Sequence, residues 1–234
     1  MPQRRSSRDA GASPSGTISD RVYEYLSQEI RSGRIGLGAR LNIKQLAGEL
    51  DVSTIPIRDA IKRLEQERIV EVRPRSGCLV RIPTRMDTLQ ALDARRMVEV
   101  SAVLNYAATP DPARLADLDR IVADMAGLVG RHTDAVPDGG QYAELDRAFH
   151  RGLCSLAGNA HLDRFAGQVS AFLAVGIGDD GAWQRAPAVT FREHVAILSH
   201  LRRPGGDAAR LLDQHLRKDH AALTRSCRFR SLPG

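Results

Sequence analysis

No run of about 18 apolar residues occurs anywhere in the 234-residue chain, so no segment is suited to cross a bilayer as a helix. The N-terminus also lacks the apolar stretch of a secretory signal. Cysteine is scarce. Cys78, Cys154 and Cys227 are odd in number and far apart, which excludes a disulfide framework and any cysteine-based metal or redox motif. A reducing cytoplasm is the expected compartment. Lysine is confined to Lys44, Lys62 and Lys218, with arginine supplying the other cations, and no function attaches to that bias. What is present is a 42% hydrophobic content, enough to pack one or two domains.

The charge is unevenly placed. Through Arg85, sixteen Lys and Arg stand against ten Asp and Glu, whereas the remainder is balanced at eighteen each. The whole excess of +6 therefore belongs to the first third of the chain, as expected if only that part meets a phosphate backbone. Residues 1–17, rich in Ser, Gly and Pro and carrying Arg4, Arg5 and Arg8, are expected to be a disordered basic tail.

A helix is predicted from Ile18 to Ser32, with Val22, Leu26 and Ile30 on one face, Ser19 as its cap and Gly33 as its stop. Leu46, Ala47 and Leu50 then mark a short amphipathic helix. A turn at Asp51-Val52-Ser53 follows, where Ser53 or Thr54 can cap the next helix. That helix buries Ile57, Ile61 and Leu64 and turns Arg58, Lys62 and Arg63 outward, with Pro56 in its first turn. This is a helix-turn-helix pattern, although a plain helical hairpin would share it. Two strands decide the matter, at 69–73 and 78–82 around the turn Pro74-Arg75-Ser76-Gly77. A hairpin there, with Arg73, Arg75 and Arg81 around it, is the wing of a winged helix. Its arginines suit phosphates or a minor groove.

Beyond a linker at 83–86 the patterns are helical, over 86–108, 111–130, 140–157, 160–177, 187–203 and 206–226, with loops at 132–139 and 178–186. The expected fold is mainly α. A winged helix-turn-helix over 18–82 precedes an all-helical six-helix bundle over 87–226, which can enclose a pocket, and a tail at 227–234. On the third bundle helix Asp146 and His150 are four apart and flank the apolar row Tyr142, Leu145, Phe149 and Leu153. His194 lies in the apolar stripe of the fifth helix, and His215 stands among leucines on the last. Three imidazoles and a carboxylate aimed at one interior suit a divalent transition metal, since such groups are costly to bury without partners. Separately satisfied core histidines are the bland alternative. His220 is the nearest substitute ligand. Zinc is the expected ion, with nickel or manganese as alternatives because N/O ligands discriminate weakly.

Taken together these segments resemble a family. VYEYLSQEIRSGRI, LAGELDVSTIPIRDAIKRLEQERIV and the wing RPRSGCLV resemble the GntR superfamily of bacterial transcription regulators. ELDRAFHRGLCSLAGN and REHVAILSHL…DQHL resemble the effector domain of its FadR-type subgroup, the FCD domain, and six helices resemble its shorter, VanR-like branch. The likeness runs from Ile18 to Leu223. It implies that Asp146, His150, His194 and His215 are the metal ligands. It also implies a homodimer on a short palindromic operator, and a small organic acid as effector whose carboxylate meets the metal. Arg95 matches a position facing the pocket and could hold the acid's far end through a bidentate pair, or merely form a surface ion pair with Glu99. Lys44, Ser53, Thr54, Arg58, Lys62, Arg73, Arg75 and Gly77 are the expected DNA-binding residues. Thr54 and Lys44 stand where the family usually has arginine, and Leu37-Gly38 stands for its Pro-Gly, so the operator should differ from that of relatives.

The expected function is that of an effector-controlled repressor, although some relatives work in the opposite sense. Two other readings remain open. A metal with open positions could serve a hydrolase or lyase, but no clear nucleophile or general base accompanies it and the winged helix would be idle. Alternatively the metal is structural and the effector hydrophobic, such as an acyl chain. Few aromatics and no continuous apolar channel in the sequence speak against that.

Overall fold

The computed structural model of the chain describes residues 16–75, 77–129, 139–177, 186–203 and 205–225. Most of the expected tail 1–17, both expected loops, the tail 227–234 and Cys227 lie outside the described residues.

Helix α1 (Ile18–Arg31) starts one residue before Ser19, which therefore cannot act as its cap. Thr17 is the N-cap instead, because Asp20 at the third helical position closes a reciprocal capping box with it. The helix stops at Gly33, whose positive φ of 77° suits a residue without Cβ. A two-residue strand β1 (Arg40–Leu41), too short to leave a sequence signal, leads to α2 (Ile43–Glu49) and α3 (Thr54–Gln66). Ser53 occupies the N-cap of α3 with extended backbone, yet its side chain makes no capping hydrogen bond. Strands β2 (Val70–Arg73) and β3 (Gly77–Val80) form the hairpin, paired Val70 to Val80 and Arg73 to Gly77, with β1 on the far edge of β3. Val22, Leu26, Ile30, Ile57, Ile61, Leu64 and Val80 meet in one buried core.

The second part is all helical: α4 (Arg85–Ala108), a 3-10 turn at Pro112–Leu115 running into α5 (Ala116–Val129), α6 (Gly139–Ser155), α7 (Ala160–Ile177), α8 (Pro187–Leu201) and α9 (Ala208–Arg225). Helix α4 begins inside the expected linker because Thr84 and Asp87 form a second capping box. The Arg85 side chain donates to the Leu223 and Thr224 carbonyls, which ties the start of α4 to the end of α9. Phe149, Leu153, Ile197, Leu212 and Val103 are fully buried at the centre of the bundle.

Helix α7 belongs to both parts. Val175 is buried in the winged-helix core and Ala171 packs against it. One residue on, Gly176 lets the helix pass close to the connection, since a Cβ there would lie 3.0 Å from the Thr88 hydroxyl and 3.6 Å from Pro83. No helix among the described residues is long and apolar enough to cross a membrane.

The winged-helix core carries one buried polar network. Tyr23 Oη donates to the Glu67 carboxylate at 2.8 and 2.9 Å, and the Arg63 guanidinium lies 3.5 Å from the centre of the Tyr23 ring. Burial pushes the Tyr23 phenol up to about 12, with Glu67 adding to it, so it stays a donor. Tyr23→Phe should leave a buried carboxylate short of a partner and cost about 1–3 kcal/mol. Urea unfolding should show a lower midpoint with an unchanged slope.

Candidate metal centre and nucleic-acid interface

Helix α3 buries Pro56, Ile57, Ala60, Ile61 and Leu64, which leaves Ile55, Arg58, Asp59 and Lys62 along its outward face. Lys44, Ser53 and Thr54 are exposed beside it, at the start of α2 and the start of α3. Among the described residues Arg58, Lys44 and Arg75 carry no ion pair, whereas Lys62 lies 4.0 Å from Asp59 and Arg73 is held by Glu71 at 3.0 Å. Arg63, also expected to face outward, is turned instead onto Tyr23 and Glu67. At the wing turn Arg75 has φ of 67° and Gly77 of 81°. A Cβ on Gly77 would come within 3.3 Å of the Arg40 guanidinium, so Arg40 belongs to this basic surface although its place in the sequence did not single it out. Ile55, 68% exposed one turn before Arg58, is a second addition. It is a large apolar side chain on an otherwise polar and basic face.

The bundle brings His150 from α6, His194 from α8 and His215 from α9 together, all three buried, with one ligand atom from each within 4.8 Å of the others. Their Nε2 edges face one another: His215 Nε2 lies 3.3 Å from that of His194 and 3.2 Å from that of His150. Asp146 Oδ1 completes the group at 3.5 Å from His194 Nε2 and 4.0 Å from His150 Nε2. His220 is not part of it. It lies half-exposed near Asp93 of α4, 3.8 Å away.

The opposite ring edges explain the arrangement. His150 Nδ1 is 2.6 Å from Glu99 Oε2, and His215 Nδ1 is 2.6 Å from Glu193 Oε2. A carboxylate can only accept there, so both rings carry the proton on Nδ1 and turn an Nε2 lone pair inward. Burial holds the His150 and His194 pKa values well below the usual range, which keeps those rings neutral. Neutral lone pairs about 3 Å apart repel unless a cation lies among them, and a carboxylate-backed imidazole is the usual supporting shell of a metal ligand. The residues therefore fit a divalent ion. Burial opposes the charge on Asp146, but nearby positive charge, that of Arg95 included, lowers its pKa. A second carboxylate, Asp219, reaches within 3.7 Å of His215 Nε2. Neither Glu99, Glu193 nor Asp219 is marked as supporting shell by sequence spacing.

Arg95 does pair with Glu99, Nε to Oε1 at 2.7 Å, but inside the protein rather than on its surface. Its Nη2 is buried without a hydrogen-bond partner among the described residues. It borders a cavity lined also by Asp146, His150, Asp219 and one face of α7. Cys154 lines the same cavity, and burial together with Glu99 pushes its thiol up to about 12, which disqualifies it as a nucleophile.

The family model described as bacterial regulatory proteins, gntR family, matches residues 18–80, and the FCD domain model matches 90–218. The chain is a GntR-family regulator with an FCD domain. A helix-turn-helix transcriptional regulator from Streptomyces ambofaciens is 30% identical over 144 residues, 60% of this chain and 57% of that protein's length. The HTH-type transcriptional repressor RspR of Escherichia coli is 22% identical over 88% of each chain. Among solved structures, a GntR transcriptional regulator from Rhodococcus aligns with a TM-score of 0.70 and 26% identity, covering 90% of this chain and 99% of that one. Transcription regulation through a winged helix is thus the family's work, and the family is not an enzymatic one.

The supporting role of Glu99 can be measured. Glu99→Gln should lower divalent-metal affinity about 10- to 100-fold in a calorimetric titration, because the one amide oxygen left cannot serve both Arg95 and His150 and the negative charge behind the ring is gone.

Proposed function

We propose that this GntR-family regulator is a repressor that binds a palindromic operator as a homodimer and is released by a small organic acid. The acid coordinates, through its carboxylate, a divalent ion held by Asp146, His150, His194 and His215, with zinc the expected metal and nickel or manganese possible with such N/O ligands. One observation carries this reading: His150 and Asp146, two members of the inward cluster, line a cavity that is also bordered by Arg95, whose Nη2 is buried without a partner among the described residues. Four protein ligands would close a tetrahedral site, so an ion that also takes a ligand carboxylate must be five- or six-coordinate. The protein's part is to orient the four ligand groups, keep the imidazoles neutral and place Arg95 beside them.

Effector binding controls DNA if the bundle with acid bound favours an arrangement of the two winged helices that no longer matches half-sites one turn apart. The acid must then bind the free conformation more tightly than the DNA-bound one. Arg58 on α3 reads a base edge, most simply guanine, while Ile55 suits a thymine methyl. Lys44, Ser53, Thr54, Lys62 and Gly77 border the same surface, and Arg73 and Arg75 of the wing serve phosphates.

Arg58→Ala should cost about 1–3 kcal/mol on an operator selected from random duplexes and relax its sequence preference. Arg75→Ala should instead lower affinity for all duplexes and flatten the salt dependence. Equal operator affinity of Arg58→Ala and wild type would show that α3 is not the reading helix. His194→Ala should lose both bound metal and acid response while DNA binding largely survives, since the winged helix has its own core. Metal analysis and acid titration of the two proteins decide it. No metal in carefully prepared wild type, and an unchanged acid response in the variant, would sink the reading.

A further inference from the structure

We propose that the effector is a monocarboxylate with an apolar tail, not a polyhydroxy acid or a dicarboxylate. This rests on the acid-and-metal reading above and adds the chemical class of the acid.

The cavity's charged groups next to the metal ligands gather at one end. The Glu99 carboxylate spans Arg95 and His150, with Arg95 Nε 2.7 Å from Oε1 and His150 Nδ1 2.6 Å from Oε2. Arg95 is therefore a neighbour of the imidazole cluster, not a group at the opposite end of the pocket. A single carboxylate head meets both, and the buried Arg95 Nη2 gains the acceptor it lacks. Holding a distant second acid group, the role the family likeness suggested for Arg95, does not match this placement.

A large part of the cavity lining is one face of α7. Phe165, Ala166, Val169, Leu173, Ala174 and Ile177 line the cavity at helical spacing, over a length of about 18 Å at 1.5 Å per residue. Ser170 is the one hydroxyl on that face. The other hydroxyls at the cavity are already engaged. Tyr142 Oη and Thr190 Oγ1 are 2.8 Å apart, and each lies 3.0 Å from the Pro187 carbonyl. The Cys154 thiol is a weak donor at best. A polyhydroxy acid would thus bury several hydroxyls without partners, each costing on the order of 10- to 100-fold in affinity. An apolar tail has no such requirement. Arg147 and Arg151 also border the cavity, and both border the cleft lined by α1, α3, α6 and α7 as well. They are the reason to include a dicarboxylate in the test.

The full-length protein, loaded with zinc and its metal content measured, is titrated calorimetrically with straight-chain acids from acetate to octanoate, with gluconate and with adipate. The expected result is affinity rising about fourfold per added methylene until the tail fills the cavity. Hexanoate and octanoate should exceed adipate and gluconate. Val169→Thr, which exchanges a methyl for a hydroxyl, should weaken octanoate several-fold and leave acetate unchanged. Phe165→Ser, at a half-exposed position, is a second probe of the same wall and should act in the same direction. Tighter binding of gluconate or adipate than of octanoate, or affinity independent of chain length, would overturn the tail and leave the acid reading standing. If no acid binds protein that demonstrably holds its metal, the acid reading falls, and this inference with it.

Discussion

Three buried imidazoles turned edge to edge in an apolar core are the constraint around which the bundle is built. Nothing in hydrophobic packing asks for them, and their lone pairs oppose one another. The arrangement holds because each of two rings is fixed from behind by a carboxylate, Glu99 on α4 and Glu193 on α8. Those carboxylates are held in turn by Arg95 and Lys218, at 2.7 Å each. Charge thus alternates outward from the centre, and four of the six helices contribute to it. Phe149 stacked on His194, with ring centres 4.3 Å apart, fills the side that no carboxylate supports.

Much of this was legible in the sequence because it is local. Helical spacing located the α2–α3 pair, all six bundle helices and the inward direction of Asp146, His150, His194 and His215 without any knowledge of the neighbours. The misses have a common cause. Thr17 rather than Ser19 caps α1 because the partner that decides it, Asp20, competes through a box and not through proximity alone. Strand β1 exists only because β3 offers it an edge. Arg63 points at Tyr23, forty residues earlier, and Glu99 reaches a histidine 51 residues later. Such pairings depend on how helices dock, which periodicity does not encode. Few aromatics and no continuous apolar channel were visible in the sequence, and the apolar cavity lining of α7 is built almost entirely from aliphatic side chains.

The basic surface and the histidine cluster are built on different cores, and α7 is the element common to both. Toward the bundle it presents the cavity wall, and toward the winged helix it presents Ala171 and Val175. A ligand that displaces this helix displaces part of the DNA-binding domain's own packing with it. No separate transmitting segment is required.

Gly176 and its neighbours also limit how this chain can change over time. One residue inserted within α7 would rotate everything beyond it by about 100°. Positions 173, 174 and 177 would leave the cavity wall while Val175 left the winged-helix core, so a single event would damage sensing and DNA recognition together. Substitutions at Phe165, Val169 or Leu173 carry no such penalty, because these line the cavity and not the cleft toward the winged helix, which Ser170 and Ala174 border as well. Descendants of this sequence are therefore free to drift in what lines this cavity, while the length of this one helix stays frozen.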